Sequence, residues 1–492
     1  MAEASPAEYQ LFIGGRAVPG AHGERRTLLD PANNRPLATV ASASRDDARA
    51  AMEAADRAFR ESNWALDDGA RRARALAQLA SRLEAAAEEF ARLETRNMGK
   101  PLRESRGDIA YAVRTLEYFS GLADKIEGET IPVPGPRFDY TVREPRGVTV
   151  HIAPWNYPLL LSLRSVAPAL AAGNSVVLKP ASLTPLTALA FAGLASAAGI
   201  PDGILNVVAG SGAEVGEALV DDPRCASVTF TGSGEVGRRI AELAARRFVP
   251  TTLELGGKGP VIVFPDADLE RAAKGIGYGI FGNAGQMCWA ASRLIVHESL
   301  RIPLLERLAS IANGLKLGPG TETGVEMGPL VSREHLTTVM GYVDEARDHG
   351  ATVVAGGTRP TEAPLADGNF LRPTILADLA PESRALKEEI FGPVLAVASF
   401  SDPDEAIRLA NDTGYGLLGA IWTRDLATAH ASARRLETGL VVVNEAPVTF
   451  PQSPFAGRKA SGIGFEQGRA AVETYTRRKN VVLNLGSPKK KG

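Results

Sequence analysis

Residues 227–237 read S-V-T-F-T-G-S-G-E-V-G, and the stretch R-R-I-A-E-L-A-A-R-R follows directly. The first residues are typical of a buried strand. The glycine and serine residues that follow are typical of a tight turn, and the residues after them are typical of a helix. This order fits the glycine pattern of a dinucleotide site, where a helix N-terminus faces a pyrophosphate. Glu254 is then a candidate ribose-binding acid. An ordinary turn at a helix start explains the stretch equally well, because such turns are common in α/β proteins.

The chain around this stretch alternates between short Val/Ile-rich segments and Ala/Leu-rich segments. The Val/Ile-rich segments include V-T-V-H-I at 148–152, S-V-V-L-K at 175–179 and I-L-N-V-V at 204–208. A second set begins near Gly259 with G-P-V-I-V-F and continues through A-V-A-S-F, L-L-G-A-I-W and L-V-V-V-N. Such alternation predicts an α/β fold with mostly parallel sheets covered by helices.

The N-terminal third has a different pattern. A strand-like start at 11–18 precedes two stretches, 45–60 and 68–98, whose apolar residues recur three and four positions apart, as in a helix. Gly99 and Pro101 are expected to end the second helix. Residues 129–146 are expected to form a hairpin with a turn at 134–136. An isolated hairpin has little to bury, so it should pack against another part of the molecule.

Composition excludes several classes of protein. The 492 residues are too many for a single core, so two or three domains are expected. With 55 basic and 57 acidic residues, the net charge is −2, and no basic excess favours nucleic acid as a partner. Two cysteines cannot form a disulfide framework. The six histidines occur in no metal-binding motif, so no metal site is expected.

The sequence also argues against a membrane protein or a secreted one. The longest apolar runs, 159–163 and 167–172, are interrupted by Arg164 and Gly173, which leaves them well short of a membrane-spanning helix. The N-terminus lacks the basic start and apolar stretch of a signal peptide. We therefore expect a cytoplasmic protein without a membrane partner.

Cys288 lies in the stretch F-G-N-A-G-Q-M-C-W-A at 281–290. Most cysteines are inert, buried small hydrophobes. Here, however, a Gly/Asn/Gln-rich turn surrounds the thiol, and such a turn exposes backbone N–H groups that lower a thiol pKa and bind an oxyanion. No histidine is near in sequence. A carboxylate that acts through water is therefore the better candidate for a base.

Two more motifs place polar side chains beside glycine or proline turns. P-W-N-Y-P at 154–158 puts the Asn156 amide just after a strand, where α/β sheets bind ligands. E-L-G-G-K at 254–258 puts the carboxylate of Glu254 before a glycine pair. Either motif alone is more typical of a turn than of a site.

In combination the motifs are specific. P-W-N-Y-P, L-K-P-A, F-T-G-S-x-x-x-G, E-L-G-G-K, G-Q-x-C, E-E-I-F-G-P-V and P-F-A-G-R-K-x-S-G-x-G-x-E occur in this order across residues 154–466. With this series the chain resembles the aldehyde dehydrogenase superfamily, of the hydrolytic, NAD(P)-dependent type, over essentially its whole length.

The resemblance implies catalytic roles for three residues. Cys288 would attack the aldehyde and form a thiohemiacetal, whose oxyanion the Asn156 amide and the Cys288 backbone N–H would hold. Hydride transfer to the nicotinamide would leave a thioester. Glu254 would activate the water that hydrolyses it, which replaces the interpretation of Glu254 as a ribose-binding acid.

The resemblance also implies the cofactor site. Lys179 and Glu389 resemble ligands of the two riboses, Phe391 would lie beside the nicotinamide, and the remaining members are Gly232, Ser233, Trp155 and Ser182. Ser182 stands where many NAD-preferring relatives carry a glutamate, which would repel a 2′-phosphate. The cofactor is therefore expected to be NAD or NADP.

The aldehyde channel follows from alignment of the motifs and has eight expected members: Tyr111, Tyr157, Leu160, Arg164, Gly282, Met287, Thr449 and Phe455. Arg164 supports two interpretations. It grips a substrate carboxylate, as the arginine of semialdehyde dehydrogenases does, or it pairs with a neighbouring acid and shapes the wall. The second cation that semialdehyde dehydrogenases tend to carry near the Gly282 position is absent, and the small Gly282 and Thr449 leave room for a bulky or aromatic aldehyde. We therefore expect a neutral aldehyde, aliphatic or aromatic.

For the whole chain, the resemblance implies a doubly wound cofactor-binding domain (1–125 and 146–255), an α/β catalytic domain (256–470) and a β oligomerisation arm (126–145 and 471–492). Such an arm implies a homodimer or homotetramer. Two alternatives stay open. One is a coenzyme A-acylating aldehyde dehydrogenase, which retention of Asn156 and Glu254 argues against. The other is a cofactor-binding protein that has lost catalysis.

Overall fold

The computed structural model describes residues 7–66 and 68–486. The N-terminal region contains β1 (Ala7–Tyr9), β2 (Leu11–Ile13), β3 (Arg16–Val18), β4 (Arg25–Asp30), β5 (Arg35–Ala41), α1 (Arg45–Glu61), α2 (Gly69–Ala85), α3 (Ala87–Met98), α4 (Leu102–Ser120), β6 (Thr130–Ile131) and β7 (Arg137–Pro145). Next come β8 (Val148–Ile152), α5 (Pro158–Ala171), β9 (Ser175–Lys179), α6 (Leu186–Ala197), β10 (Leu205–Val207), α7 (Glu217–Asp221), β11 (Cys225–Thr231), α8 (Gly234–Ala245) and β12 (Thr251–Glu254).

The second half contains β13 (Pro260–Val263), α9 (Leu269–Phe281), β14 (Arg293–His297), α10 (Arg301–Gly314), α11 (Arg333–Asp348), β15 (Thr352–Ala355), β16 (Thr374–Ala377), α12 (Arg384–Lys387), β17 (Val394–Phe400), α13 (Pro403–Asn411), β18 (Tyr415–Gly416), β19 (Leu418–Trp422), α14 (Leu426–Arg435) and β20 (Leu440–Val443). The last elements are β21 (Arg458–Lys459), β22 (Gly462–Ile463), α15 (Gly468–Thr474) and β23 (Thr476–Asn484). Short irregular turns of helix lie at Gly212–Gly216, Gly282–Gly285, Glu298–Leu300 and Leu365–Asp367.

The helices of the N-terminal third agree in part with the bounds that the sequence predicted. Ser44 caps the N-terminus of α1, and its side chain forms a reciprocal capping box with Asp47. The stretch predicted as one helix over 68–98 is divided at Ala86 into α2 and α3. α3 ends at Gly99, whose φ of +100° suits glycine, as predicted.

The first sheet has eight strands in the order β22-β12-β11-β8-β9-β10-β2-β3. β8 to β12 are parallel, whereas β22 and β2 pair antiparallel with β12 and β10. The chain runs outward from β8 through β9 and β10, and then returns to place β11 on the other side of β8. Ligands in open α/β sheets bind at such a reversal, beyond the carboxyl ends of the strands.

The second sheet has seven strands in the order β15-β16-β17-β14-β13-β19-β20. Only β15, at one edge, is antiparallel to its neighbour. One apolar core lies around the strands of the first sheet, and two more lie against the second sheet, both of which include residues of β13, β14 and β17. The α/β fold with parallel sheets and helical layers is the predicted one.

The predicted hairpin is present, and β6 pairs antiparallel with β7. β7 pairs along its whole length with β23, from Arg137 opposite Asn484 to Pro145 opposite Thr476. The sequence pattern did not indicate β4 and β5, which form a small sheet with β1. In β4 only Leu28 is buried, so this strand lacks the alternation of buried and exposed residues that marks a half-buried strand. In the described ranges, no helix combines the length and apolarity that crossing a bilayer requires.

Candidate active site

Two cavities meet at Cys288. One, of about 410 Å³, lies at the reversal between β8 and β11. The other, of about 450 Å³, lies between α4, α5 and the loop before β21. Cys288 borders both, while Asn156 and Glu254 border the first. The structure therefore brings together the three residues predicted to be catalytic.

The loop that carries Cys288 is held by its backbone conformation and by Gln286. Asn283 and Ala284 have φ values of +47° and +52°, and Gly285 follows with +71°. A Cβ at Gly285 would lie 2.1 Å from a backbone oxygen, so the turn requires glycine there. The Gln286 side chain donates to the Asn283 carbonyl at 2.9 Å and accepts from the Val331 backbone N–H, also at 2.9 Å.

Burial raises the pKa of the Cys288 thiol to about 12, because it disfavours the thiolate. The Arg164 charge lowers this pKa, and the carboxylates of Glu389 and Glu254 raise it further. The polar turn was expected to lower the thiol pKa. That expectation is wrong for this structure, because the desolvation of Cys288 outweighs the nearby donors.

The Asn156 side chain points toward the same loop. It is 3% exposed, and its amide nitrogen donates to the Gln286 carbonyl at 2.9 Å. The Asn283 amide in turn donates to the Asn156 carbonyl at 3.2 Å. These bonds fix the position of the Asn156 amide relative to the catalytic loop, as an oxyanion donor requires.

Glu254 ends β12 and is 2% exposed. Within the part of the chain that the structure describes, neither of its carboxylate oxygens has a hydrogen-bond partner. Burial raises its pKa well above the usual range; the Arg164 charge opposes this effect and the Glu466 carboxylate adds to it. A desolvated carboxyl group without protein partners is a chemically suitable base for a bound water.

The larger part of the predicted cofactor site lines the first cavity: Trp155, Lys179, Gly232, Ser233, Glu389 and Phe391. Lys179 ends β9, and its pKa is lowered to about 8, chiefly by burial and further by the Arg26 charge. Glu389 accepts from the Gly257 backbone N–H at 2.8 Å. Burial raises its pKa to about 7.

The N-terminus of α8 opens into this cavity, and its cap Ser233 accepts from the Val236 N–H at 3.4 Å. A Cβ at Gly232 would lie 2.6 Å from the ring of Phe230, so a larger residue would fill the approach to the helix. Free N–H groups at a helix start, a buried lysine and a carboxylate together fit a dinucleotide.

Sequence reasoning missed His335, which also borders the first cavity. Its Nε2 lies 2.7 Å from the Phe391 carbonyl oxygen. Its ring lies edge-to-face with Trp155 at 5.3 Å, and Trp155 meets Phe391 at 5.1 Å. His335 lies in the first turn of α11 and belongs to no recognisable motif, so no local signal marked it.

Ser182 is the one predicted cofactor residue that does not border the cavity. Its hydroxyl donates to the Gly210 carbonyl at 2.8 Å, while the adjacent Ala181 lines the wall. Ser182 is therefore one residue removed from the cavity surface.

All eight predicted channel residues line the second cavity: Tyr111, Tyr157, Leu160, Arg164, Gly282, Met287, Thr449 and Phe455. Gln467, which was not predicted, joins two of them. It donates to the Tyr111 hydroxyl at 2.8 Å and accepts from the Thr449 hydroxyl at 2.8 Å. Other members that the sequence pattern did not indicate are Glu104, Asp108, Tyr278 and Trp289.

Beside this cavity lies a buried ion pair. The Lys100 ammonium is 2.6 Å from the Asp108 carboxylate and 3.8 Å from the centroid of the Tyr157 ring. Burial raises the pKa of the nearby Glu104 to about 7. This part of the channel wall is held by side chains from α4 and the residues just before it.

Arg164 forms an ion pair with Glu466, and the two side chains are 4% and 2% exposed. The guanidinium carbon lies 4.8 Å from the centroid of the Phe455 ring. Of the two interpretations of Arg164, the structure has the geometry of the wall residue. No role for Glu466 followed from the sequence, although it ends the last motif. Across residues 7–66 and 68–486, no cluster of His, Cys, Asp or Glu side chains has the composition of a metal site.

The comparisons with known proteins agree with this geometry. The sequence matches the aldehyde dehydrogenase family over residues 18–481. A hydroxyisobutyraldehyde dehydrogenase of Mycolicibacterium austroafricanum is 42% identical over 475 residues, 96% of this chain and 94% of that protein. A phenylacetaldehyde dehydrogenase of Pseudomonas fluorescens is 43% identical over 483 residues, 96% of each chain.

Among solved structures, the NAD⁺ complex of an aldehyde dehydrogenase from Bacillus cereus matches with a TM-score of 0.95 and 40% identity, and covers 97% of both chains. The chain therefore belongs to the aldehyde dehydrogenase family. The resemblance seen in the ordered motifs and the predicted fold class are both confirmed.

Proposed function

We propose that this protein oxidises neutral aldehydes to carboxylic acids with NAD as the hydride acceptor. The position of Cys288 between the cavity lined by the predicted cofactor residues and the cavity lined by the predicted channel residues carries the proposal. A thiol there reaches substrate from one side and cofactor from the other. Membership of the family supports the reaction type.

The protein residues divide the reaction into two stages. In the first, the Cys288 sulfur bonds to the aldehyde carbon, and the Asn156 amide and the Cys288 N–H donate to the oxyanion. A bound cofactor would accept the hydride that the thiohemiacetal carbon loses, and this loss leaves a thioester on the Cys288 sulfur. In the second stage, Glu254 takes a proton from water, which attacks the thioester carbon and releases the Cys288 sulfur with the carboxylic acid.

NAD is the proposed cofactor, and the same site has features compatible with NADP. Ser182 provides no carboxylate to repel a 2′-phosphate, and the pKa of Lys179 is lowered by the charge of Arg26 as well as by burial. Two cations therefore act on the region proposed to hold the adenosine ribose. The NAD⁺ complex of the Bacillus cereus relative supports NAD itself.

A neutral substrate is proposed because the charge of Arg164 is already paired. Glu466 neutralises the guanidinium, so a substrate carboxylate would have to compete with a buried carboxylate. Tyr111, Tyr157 and Phe455 supply aromatic surface. Relatives named for phenylacetaldehyde, hydroxyisobutyraldehyde and betaine aldehyde agree with an aldehyde that is not a semialdehyde acid.

We also propose that the chain divides into a cofactor-binding domain (1–125 and 146–255), a catalytic domain (256–470) and an arm (126–145 and 471–492) that forms a homodimer or homotetramer. The separate first and second sheets support this division, although β22 reaches back to pair with β12. Phe138 and Leu483, a cross-strand pair on the arm, are each 44% exposed, which suits a self-association surface. The outermost residues, 1–6 and 487–492, lie outside the described ranges.

The experiment is a steady-state panel with benzaldehyde, hexanal and succinic semialdehyde, each with NAD and NADP. We expect NAD-dependent oxidation of the two neutral aldehydes. Cys288→Ala should abolish it and leave NAD affinity unchanged, because the thiol makes the only covalent bond to substrate. The matched control is Cys225→Ala, since Cys225 is buried in β11 away from both cavities.

Three results would contradict the proposal. If Cys288→Ala keeps more than about one part in a thousand of the activity of the parent protein, Cys288 is not the nucleophile. A higher kcat/KM for succinic semialdehyde than for either neutral aldehyde would overturn the substrate class. An acyl-coenzyme A product that requires added coenzyme A would identify the acylating alternative.

A further inference from the structure

The ion pair of Arg164 and Glu466 is fixed from two directions. Arg164 lies on α5 and Glu466 follows β22. The guanidinium contacts the face of Phe455, whose backbone exchanges two hydrogen bonds with that of Glu466, at 2.7 and 2.8 Å. The cation is therefore held between one helix and a short antiparallel bridge, with almost no access to solvent.

Arg164 also borders the cavity that contains the Cys288 thiol. The titratable groups that interact with its charge come from five separate parts of the fold: Glu466 after β22, Glu254 at the end of β12, Cys288 in its loop, Tyr111 on α4 and Tyr475 after α15. Two of these are the proposed nucleophile and base.

The two charges of the pair act in opposite directions on the pKa of Glu254. The guanidinium lowers the pKa of both Cys288 and Glu254, against the burial that raises them. The Glu466 carboxylate raises the pKa of Glu254. The single guanidinium of Arg164 therefore interacts with the carboxyl groups of Glu466 and Glu254 and with the Cys288 thiol, in surroundings that screen charge poorly.

We propose that Arg164 is a positioning residue of the reaction: its buried guanidinium, held by Glu466 and Phe455, puts a fixed positive charge on the wall of the cavity that Cys288 borders, and Glu466 limits the effect of that charge on the nucleophile. The inference rests on the nucleophile and base of the proposed function. It gives Arg164 a role in the chemistry in place of a role in gripping substrate.

The test is the alkylation of Cys288 by iodoacetamide, in which the thiolate sulfur bonds to carbon and iodide leaves. All variants carry Cys225→Ala, so that only one thiol reacts. At pH 8, Arg164→Met should slow alkylation by about tenfold, the effect of a loss of one pKa unit of thiolate stabilisation. Glu466→Gln should accelerate it, because the guanidinium keeps an amide partner and loses the opposing charge.

Arg164→Lys is the matched control: it keeps a positive charge beside Glu466 but loses the planar contact with Phe455, and it should alkylate faster than Arg164→Met. The pH profile of kcat/KM for hexanal should move in the same direction as alkylation for each variant. Arg164→Met should lower kcat/KM for hexanal and succinic semialdehyde by the same factor.

A purely structural role predicts that Arg164→Met and Glu466→Gln change alkylation in the same direction or leave it unchanged, and either result overturns the proposal. A loss confined to succinic semialdehyde also overturns it, in favour of a substrate-binding arginine. If Arg164→Met does not fold, Glu466→Gln decides alone: alkylation that is unchanged or slower contradicts the proposal. Failure of the proposed function is seen separately, as activity retained by Cys288→Ala.

Discussion

At the residue scale, the nucleophile and the base share one difficulty. Burial raises the pKa of Cys288 to about 12 and that of Glu254 well above its usual range. Burial also removes competing water and strengthens each electrostatic contact in the site. The compensating charge comes from Arg164, which lies on a different element from either group.

Glu254→Gln should separate the two stages of the reaction. The first turnover should still release a stoichiometric burst of NADH, because the hydride step does not require this base once the thiolate has formed. Steady-state turnover should fall by about 10²–10⁴-fold, the usual contribution of a general base. Stopped-flow absorbance at 340 nm measures both, and the exposed Glu382→Gln is the control. Loss of the burst would show that Glu254 also deprotonates Cys288.

Ser182→Glu should change cofactor preference. A carboxylate at this position, one residue from the cavity wall, would repel a 2′-phosphate and so penalise NADP. We expect the ratio of kcat/KM for NADP to that for NAD to fall at least about tenfold. Ser182→Gln removes the same hydrogen bond to Gly210 without adding charge, and should change the ratio little. Equal ratios for both variants would mean that residue 182 does not sense the phosphate.

At the element scale, the loop after β12 passes between Glu389 and the loop that carries Cys288. A Cβ at Gly256 would lie 2.0 Å from a carboxylate oxygen of Glu389, and one at Gly257 would lie 2.3 Å from the Cys288 carbonyl oxygen. The Gly257 N–H also donates to Glu389. The glycine pair therefore lets the proposed cofactor ligand and the nucleophile loop approach the same backbone.

Gly257→Ala should displace the Cys288 loop and lower kcat by about a hundredfold, the usual cost of a misplacement of about 1 Å at a reacting centre. NAD affinity should fall less, since most of the cavity wall is unaffected. Gly193→Ala is the matched control: it lies in α6 with open space around its Cβ and should leave kcat unchanged. Unchanged kcat in Gly257→Ala would show that this loop tolerates movement.

At the scale of the whole molecule, the order of strands in the first sheet places the cofactor side of the site. β8 and β11 are neighbours although the chain between them passes through β9 and β10. Their carboxyl ends bring Asn156 and Gly232 to one cavity. The arm of β6, β7 and β23 extends from this body with apolar side chains exposed: Ile131, Phe138, Val482 and Leu483.

Leu483→Lys should weaken self-association at least about tenfold, because an interface that buries this position would have to desolvate a charge. Light scattering with size-exclusion chromatography across a dilution series measures the change. Leu426→Lys is the control, since Leu426 is 71% exposed at the start of α14, outside the arm. An unchanged mass in Leu483→Lys would exclude this face of the arm from the interface.

The sequence alone determined the features that depend on local pattern and ordered motifs. Strand–helix alternation predicted the parallel sheets, and β-branched runs located β8, β9, β11 and β13. The motif series identified the family, because seven motifs in one order are far more specific than any single motif. The same motifs predicted Cys288, Asn156 and Glu254 as the catalytic residues. In the structure all three border one cavity.

Tertiary structure alone decided the features that join distant parts of the chain. The pairing of Arg164 with Glu466, the link of Gln467 to Tyr111 and the place of His335 beside Phe391 have no local signal. The thiol pKa also depends on desolvation by surrounding residues from distant parts of the chain, which reversed the direction expected from the polar turn. The physical reason is common to these cases: charge and desolvation act through space, whereas a sequence pattern records only neighbours along the chain.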